Sequence, residues 1–99
     1  MASLTLILWR DIPAQVVVRR GRDTAKAKLS QRFQEAIDRA AMRAGKGQSD
    51  LYLAEWRRSD ARPCSDDIEQ EAAAEAARVE ARYTEQDLEQ LIRAHGVAG

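Results

Sequence analysis

The stretch Leu4-Thr5-Leu6-Ile7-Leu8-Trp9-Arg10-Asp11-Ile12-Pro13-Ala14-Gln15-Val16-Val17-Val18 decides the fold. Two apolar runs, rich in the branched and bulky side chains that fit a pleated, half-buried surface, flank a short polar corner. Asp11 to Pro13 interrupt the pattern, since Pro13 has no N–H to give to a ladder. The stretch reads as a β-hairpin or a tight strand-turn-strand, with strand one at about Ser3 to Trp9 and strand two at about Gln15 to Arg20. In strand one Leu4, Leu6 and Leu8 alternate with Thr5, Ile7 and Trp9, so both faces are apolar enough to be covered. Strand two groups Val16 with Val18 and Val17 with Arg19, one core face and one amphipathic face.

Outward from the hairpin, Gly21 ends the regular pattern. Arg22 to Lys28 alternates Ala25 and Ala27 with Lys26 and Lys28, which suits a loop or, as favoured here, a short edge strand whose lysines discourage edge-to-edge pairing. Ser30 reads as an N-cap whose hydroxyl accepts a backbone N–H at the start of a helix over Gln31 to Ala44. Phe33, Ile37, Ala40, Ala41 and Ala44 form one apolar stripe there, a helix laid on the hairpin. Ser49-Asp50 caps a short second helix. The spacing of Tyr52 and Trp56 fits helix or strand; Ala54, Glu55, Arg57 and Arg58 favour helix. Asp60 to Cys64 reads as a linker. Ser65 with Asp66 and Asp67 starts a third helix with the stripe Ile68, Ala72, Ala76, Val79, Tyr83. Thr84 and Asp87 make a capping pattern ahead of Leu88, Leu91 and Ile92, and Gly96 ends the last helix.

The expected fold class is α+β: a small antiparallel sheet, with a possible third edge strand, packed by a helix and followed by Ala/Glu-rich helices. At 99 residues one domain over 1–99 is expected, β-rich over 3–29 and helical over 30–95. With only Trp9, Phe33, Tyr52, Trp56 and Tyr83 as aromatics, alanine supplies much of the packing area, and a partner chain or a second copy would reinforce so lean a core. The single cysteine, Cys64, excludes an internal disulfide. No run approaches the ~20 residues of a membrane span, no secretory pattern precedes Leu4, and a cytoplasmic, membrane-free protein is the expectation. The net charge of zero conceals a division: residues 1–47 carry ten cations and four carboxylates, residues 48–99 six cations and twelve carboxylates. The two halves are complementary, within one chain or between two copies.

Few residues point to catalysis, and no catalytic, metal or cofactor site is assigned. His95, the sole histidine, falls in a helix's last turn, where it complements exposed carbonyls. Cys64 lacks a thiol or imidazole partner and reads as inert. Gly45-Lys46-Gly47-Gln48-Ser49 lacks the order of a phosphate loop and follows a helix, so it reads as a helix-ending turn. Asp11 beside a turn proline is expected to bond local backbone N–H groups. The carboxylates from Asp66 to Glu75 lack the spacing of a calcium loop and read as a solvated helix face. Arg19, Arg20, Arg22, Lys26, Lys28 and Arg32 form a basic patch, but no aromatic interleaves with them to stack bases, so a protein rather than a nucleic acid is the favoured partner. The corner residues Trp9, Arg10, Asp11, Pro13 and Gln15, together with Trp56, are the candidate binding residues.

The run Trp9-Arg10-Asp11-Ile12-Pro13-Ala14-Gln15-Val16, with Leu29 to Phe33, Ala36 to Met42 and the Tyr52/Trp56-Arg57-Arg58 segment, resembles the small alphaproteobacterial "virulence factor" proteins, whose domain also occurs inside larger conserved virulence factor C proteins. The resemblance extends to about Arg58 and brings no catalytic residues with it. The missing catalytic cluster, the charge division and the corner from Trp9 to Gln15 point to a non-enzymatic interaction or accessory protein; the resemblance implies, as the alternative, an accessory role in folate or corrinoid methyl transfer, and the basic run over residues 19–32 gives nucleic-acid binding as a third reading.

Overall fold

The computed structural model describes residues 1–47 and 49–98, Ser49 through its backbone alone. Strand β1 (Ala2–Trp9) turns through Arg10-Asp11 into β2 (Ile12–Arg20), and β3 (Asp23–Lys28) follows antiparallel to β2. Helix α1 (Gln31–Arg43) and the short α2 (Ser49–Leu53) lead to two short strands, β4 (Trp56–Arg58) and β5 (Arg62–Cys64), before α3 (Ile68–Arg82) and α4 (Glu85–Arg93). Sheet order is β3-β2-β1, and β4 and β5 share the far edge of β1: β4 pairs with Ile7 to Trp9, β5 with Ala2 to Leu4. Ser59 fills the interval, its N–H bonding the Leu6 carbonyl and its hydroxyl accepting the Leu6 N–H.

The α+β class, the edge strand and the helix on the hairpin are as the sequence implies. Five local expectations are corrected. First, β2 begins at Ile12 rather than Gln15. Pro13 lies opposite Leu8, where the β1–β2 register shifts, and beyond the last β3 pairing at Gln15, so its missing N–H interrupts no regular ladder. Secondly, Trp9 does not share a face with Ile7. The shift between Ile7 and Leu8 returns Trp9 to the side of Leu4 and Leu6, where it is fully buried, whereas Leu8 joins neither core cluster. Thirdly, the stretch 30–95 is not wholly helical: Trp56 lies in β4, opposite Trp9, and the supposed linker supplies β5. Fourthly, α3 is capped by Asp67, whose carboxylate accepts the Gln70 N–H, and not by Ser65. Finally, Ser30 is the N-cap of α1, but its hydroxyl donates to Glu80 of α3 at 2.9 Å and caps no N–H.

Both core clusters lie on one side of the sheet. Ala2, Leu4, Val16 and Val18 pack with Ala72 of α3, while Trp9 and Ile12 join Phe33, Ile37 and Ala40 of α1, Val79 of α3, and Leu88, Leu91 and Ile92 of α4. Phe33 and Ile37 are fully buried, each contributing roughly 1.5–3 kcal/mol by leaving water. The Thr84–Asp87 capping box forms as expected and sets the sharp start of α4. The charge halves meet within the one chain: Arg32 pairs with Glu80 and Glu85, Arg39 with Glu89, and Arg10 with Glu55.

Candidate functional site

The corner singled out in the sequence is held by the chain itself. Arg10 adopts φ +52°, a left-handed conformation that costs a non-glycine residue about 1–2 kcal/mol. It persists because the turn is bonded on both sides: the Arg10 N–H donates to the Glu55 carbonyl at 3.0 Å and the Asp11 N–H to the Gly96 carbonyl at 2.8 Å. The Arg10 guanidinium meets the Glu55 carboxylate at 2.7 Å and the His95 carbonyl at 2.9 Å, and lies 5.3 Å from the Trp9 ring centroid. Arg57 reaches across to the Arg10 carbonyl and the Asp11 carboxylate, both at 2.7 Å. Asp11 also accepts the Ala98 N–H at 2.7 Å. This bond is the main cause of an Asp11 carboxyl held below its usual value; partial burial opposes it and Arg57 adds to it. The expected local backbone partner is thus replaced by one at the other end of the chain.

Trp9 donates its indole N–H to the Tyr52 carbonyl at 2.9 Å and stacks on Tyr52, which meets Trp56 edge to face. Pro13 is fully buried. Gln15 and Trp56 line a cleft of about 240 Å³ with Ala14, Lys28, Gln31 and Gln34. Of the six predicted corner residues, then, Trp9, Arg10 and Asp11 form the clasp between the hairpin, the 52–57 segment and the last described residues, Pro13 is buried opposite Leu8, and Gln15 and Trp56 remain half-buried beside it.

The basic patch is divided. Arg32 is committed to Glu80 and Glu85; Arg20 pairs with Asp23 and donates to the Asp66 carbonyl; Arg22 lies in the β2–β3 turn. Arg19, Lys26 and Lys28 are exposed, and among the described residues none of them forms an ion pair. Strand alternation and register place them on the sheet face opposite the helices, in the cross-strand rows Ser3–Arg19–Thr24, Thr5–Val17–Lys26 and Ile7–Gln15–Lys28.

Burial, then the nearby Glu71 carboxylate, pushes the Cys64 thiol up, which disfavours the reactive thiolate. His95 lies past the end of α4 with φ +62°, and its carbonyl serves Arg10. The turn after α1 contains Gly45 at φ +71°, a helix-ending conformation as expected; Gln48, part of the same motif, lies outside the described residues. Among the described residues no group of three or more His, Cys, Asp or Glu is placed to hold a metal ion, and no helix is long and apolar enough to cross a membrane.

Two carboxylates of α3 escaped the reading of the sequence: Glu75, which is buried and so does not belong to the solvated face expected of Asp66 to Glu75, and the half-buried Glu80. Glu75, 4% exposed, receives Arg62 of β5 at 2.7 Å and Arg78 at 2.9 Å on the same oxygen. Its position between Ala72 and Ala76, on the core-facing side of α3, was the available signal. Glu80 binds the N–H and hydroxyl of Ser30 and the Arg32 guanidinium. Burial alone would raise its pKa, but these donors together hold it below the usual value.

Helices on one face, a cationic second face and a clasped hairpin define a small two-layer α+β domain. The family model described as "Virulence factor" matches residues 7–92. The chain belongs to that family, in line with the resemblance of its Trp9 to Val16 run. No curated protein and no solved structure matches it.

Proposed function

We propose that the domain is a non-enzymatic interaction module that holds an anionic protein surface against the β2–β3 side of its sheet. The placement of Arg19, Lys26 and Lys28 carries this reading: three cations that form no ion pair among the described residues share one face with the hydroxyls of Ser3, Thr5 and Thr24. Cations arranged in this way steer and orient an acidic partner. The corner, by contrast, has little left to offer, since Arg10 and Asp11 are already bonded within the chain. One half-buried aromatic, Trp56, shares a cleft with Gln15 and Lys28, but among the described residues none interleaves with Arg19, Lys26 and Lys28 along β2 and β3 to stack successive bases, which favours protein over nucleic acid.

The test is affinity recovery from nuclease-treated host extract, comparing the full chain with an Arg19→Glu/Lys26→Glu/Lys28→Glu variant. One stoichiometric protein, released as salt rises and lost with the variant, is the expected result. Because the three side chains make no ion pair among the described residues, the variant is expected to keep its stability within about 1 kcal/mol. A partner indifferent to the charge reversal, or recovery of nucleic acid alone, overturns the reading. A folate- or corrinoid-binding methyl-transfer protein as that partner would support the accessory role implied by the family resemblance.

A further inference from the structure

We infer that the free edge of β3 accepts an extended acidic segment of a partner as an additional strand of the sheet. This rests on the interaction-module reading and specifies its geometry. β3 is the terminal strand: β2 bonds one side of it, and among the described residues no backbone bond leaves Asp23–Lys28 on the other. An edge of this kind presents a row of unpaired N–H and C=O groups, a template for strand addition. At the other end of the sheet the edge of β1 is covered by β4, Ser59 and β5, so that the outer edge there consists of two three-residue strands.

The surroundings of the edge determine what fits. On its core side a shallow cleft of about 350 Å³ runs between β3 and α3, lined by Ala25, Ala27, Ala72 and Ala73 with Thr24, Lys26 and Glu69. Alternate side chains of an added strand would enter this cleft. The alanine methyls leave room for small apolar groups, and the Glu69 carboxylate repels an acidic one. On the other face, the intervening side chains of the added strand would lie beside Lys26 and Lys28, which lack an ion partner among the described residues. The favoured occupant therefore alternates aspartate or glutamate with small apolar residues. A second copy of this chain is a poorer occupant, because antiparallel β3–β3 pairing that keeps both helix layers on one side of a joint sheet sets Lys26 against Lys26 or Lys28 when centred on Lys26 or Ala27. The lysines thus disfavour these self-pairings while admitting an anionic strand.

The experiment uses the isotopically labelled full chain and a capped peptide of about seven residues, the length of β3, alternating glutamate and valine. Amide hydrogen exchange is followed by NMR. With the peptide at about ten times its Kd, the amides of Asp23–Lys28 that point away from β2 are expected to exchange roughly 10-fold more slowly. Lys26→Glu/Lys28→Glu removes the effect, as does a peptide N-methylated at alternate residues. Equal binding of the N-methylated peptide, or unchanged exchange over Asp23–Lys28, overturns the proposal. If shifts then appear only at Thr5, Val17 and Arg19, the open face binds the anion and the broader reading survives alone. Protection that grows with protein concentration in the absence of peptide also overturns it, in favour of a second copy.

Discussion

A Cβ placed on Gly96 would lie 2.9 Å from Cζ3 of the buried Trp9 indole. Gly96 has φ +86°, and its carbonyl receives the Asp11 N–H, so one residue seats the end of the chain on the hairpin. In Gly96→Ala the left-handed backbone costs about 1 kcal/mol, and overpacking against a fixed ring adds about 1–3 kcal/mol. Urea denaturation is expected to show a loss of roughly 2–4 kcal/mol. An unchanged midpoint would mean that this packing contributes nothing to stability.

Acid should loosen both clamps. The carboxyls of Asp11 and Glu80 lie below their ordinary values of 3.8 and 4.5. A depressed carboxyl adds stability that is complete above its unfolded pKa and is lost as pH falls through its folded one. Stability should therefore decline as pH drops below 4.5 for Glu80 and below 3.8 for Asp11. Asp11→Asn and Glu80→Gln should each be less stable at neutral pH and show a shallower decline. Unfolding midpoints measured along a pH series check this, and slopes equal to wild type would assign the acid sensitivity elsewhere.

Glu75 joins α3 to β5 through Arg62 and is buried, whereas both of its arginines are about half exposed. Removing both cations strands a buried carboxylate, while removing the carboxylate releases two arginines to water. Arg62→Ala/Arg78→Ala is expected to cost about 2 kcal/mol or more, and Glu75→Leu under about 1 kcal/mol. Equal losses in the two variants would show that packing, and not the charge, matters at this position.

Trp9→Phe removes the bond to the Tyr52 carbonyl and part of the ring stacked on Tyr52. The expected loss is roughly 2 kcal/mol. Since Trp9 holds α2 and the turn into β4, amide exchange over 52–58 should accelerate more than exchange in β2. A uniform change across both segments would refute this local role.

Much of the architecture was legible in the chain because it is written in local periods. The alternation around Val16 to Val18, the stripe from Phe33 to Ala41 and the Thr84–Asp87 capping box each depend on neighbours within a turn or two of helix, or on the two-residue repeat of a strand. The Ile7–Leu8 register shift was hidden, because a single step of misalignment moves Trp9 to the opposite face without altering composition. β4 and β5 were hidden too: three-residue strands have almost no periodicity, and only the vacant edge of β1 makes them strands.

The same division holds for the site. Sequence alone marked the polar corner and the basic run as unusual, and determined the hairpin, the helices and the complementary charge of the two halves. Tertiary structure decided their use. Arg10 and Asp11 find partners up to 87 positions away, a distance over which no local pattern carries information. The pleat of β2 and β3 sorts the basic residues, leaving Arg19, Lys26 and Lys28 together on the face away from the helices while Arg32, on α1, meets Glu80. Which charges are satisfied and which remain available is set by pairings distant in sequence, and those pairings form only when the chain folds.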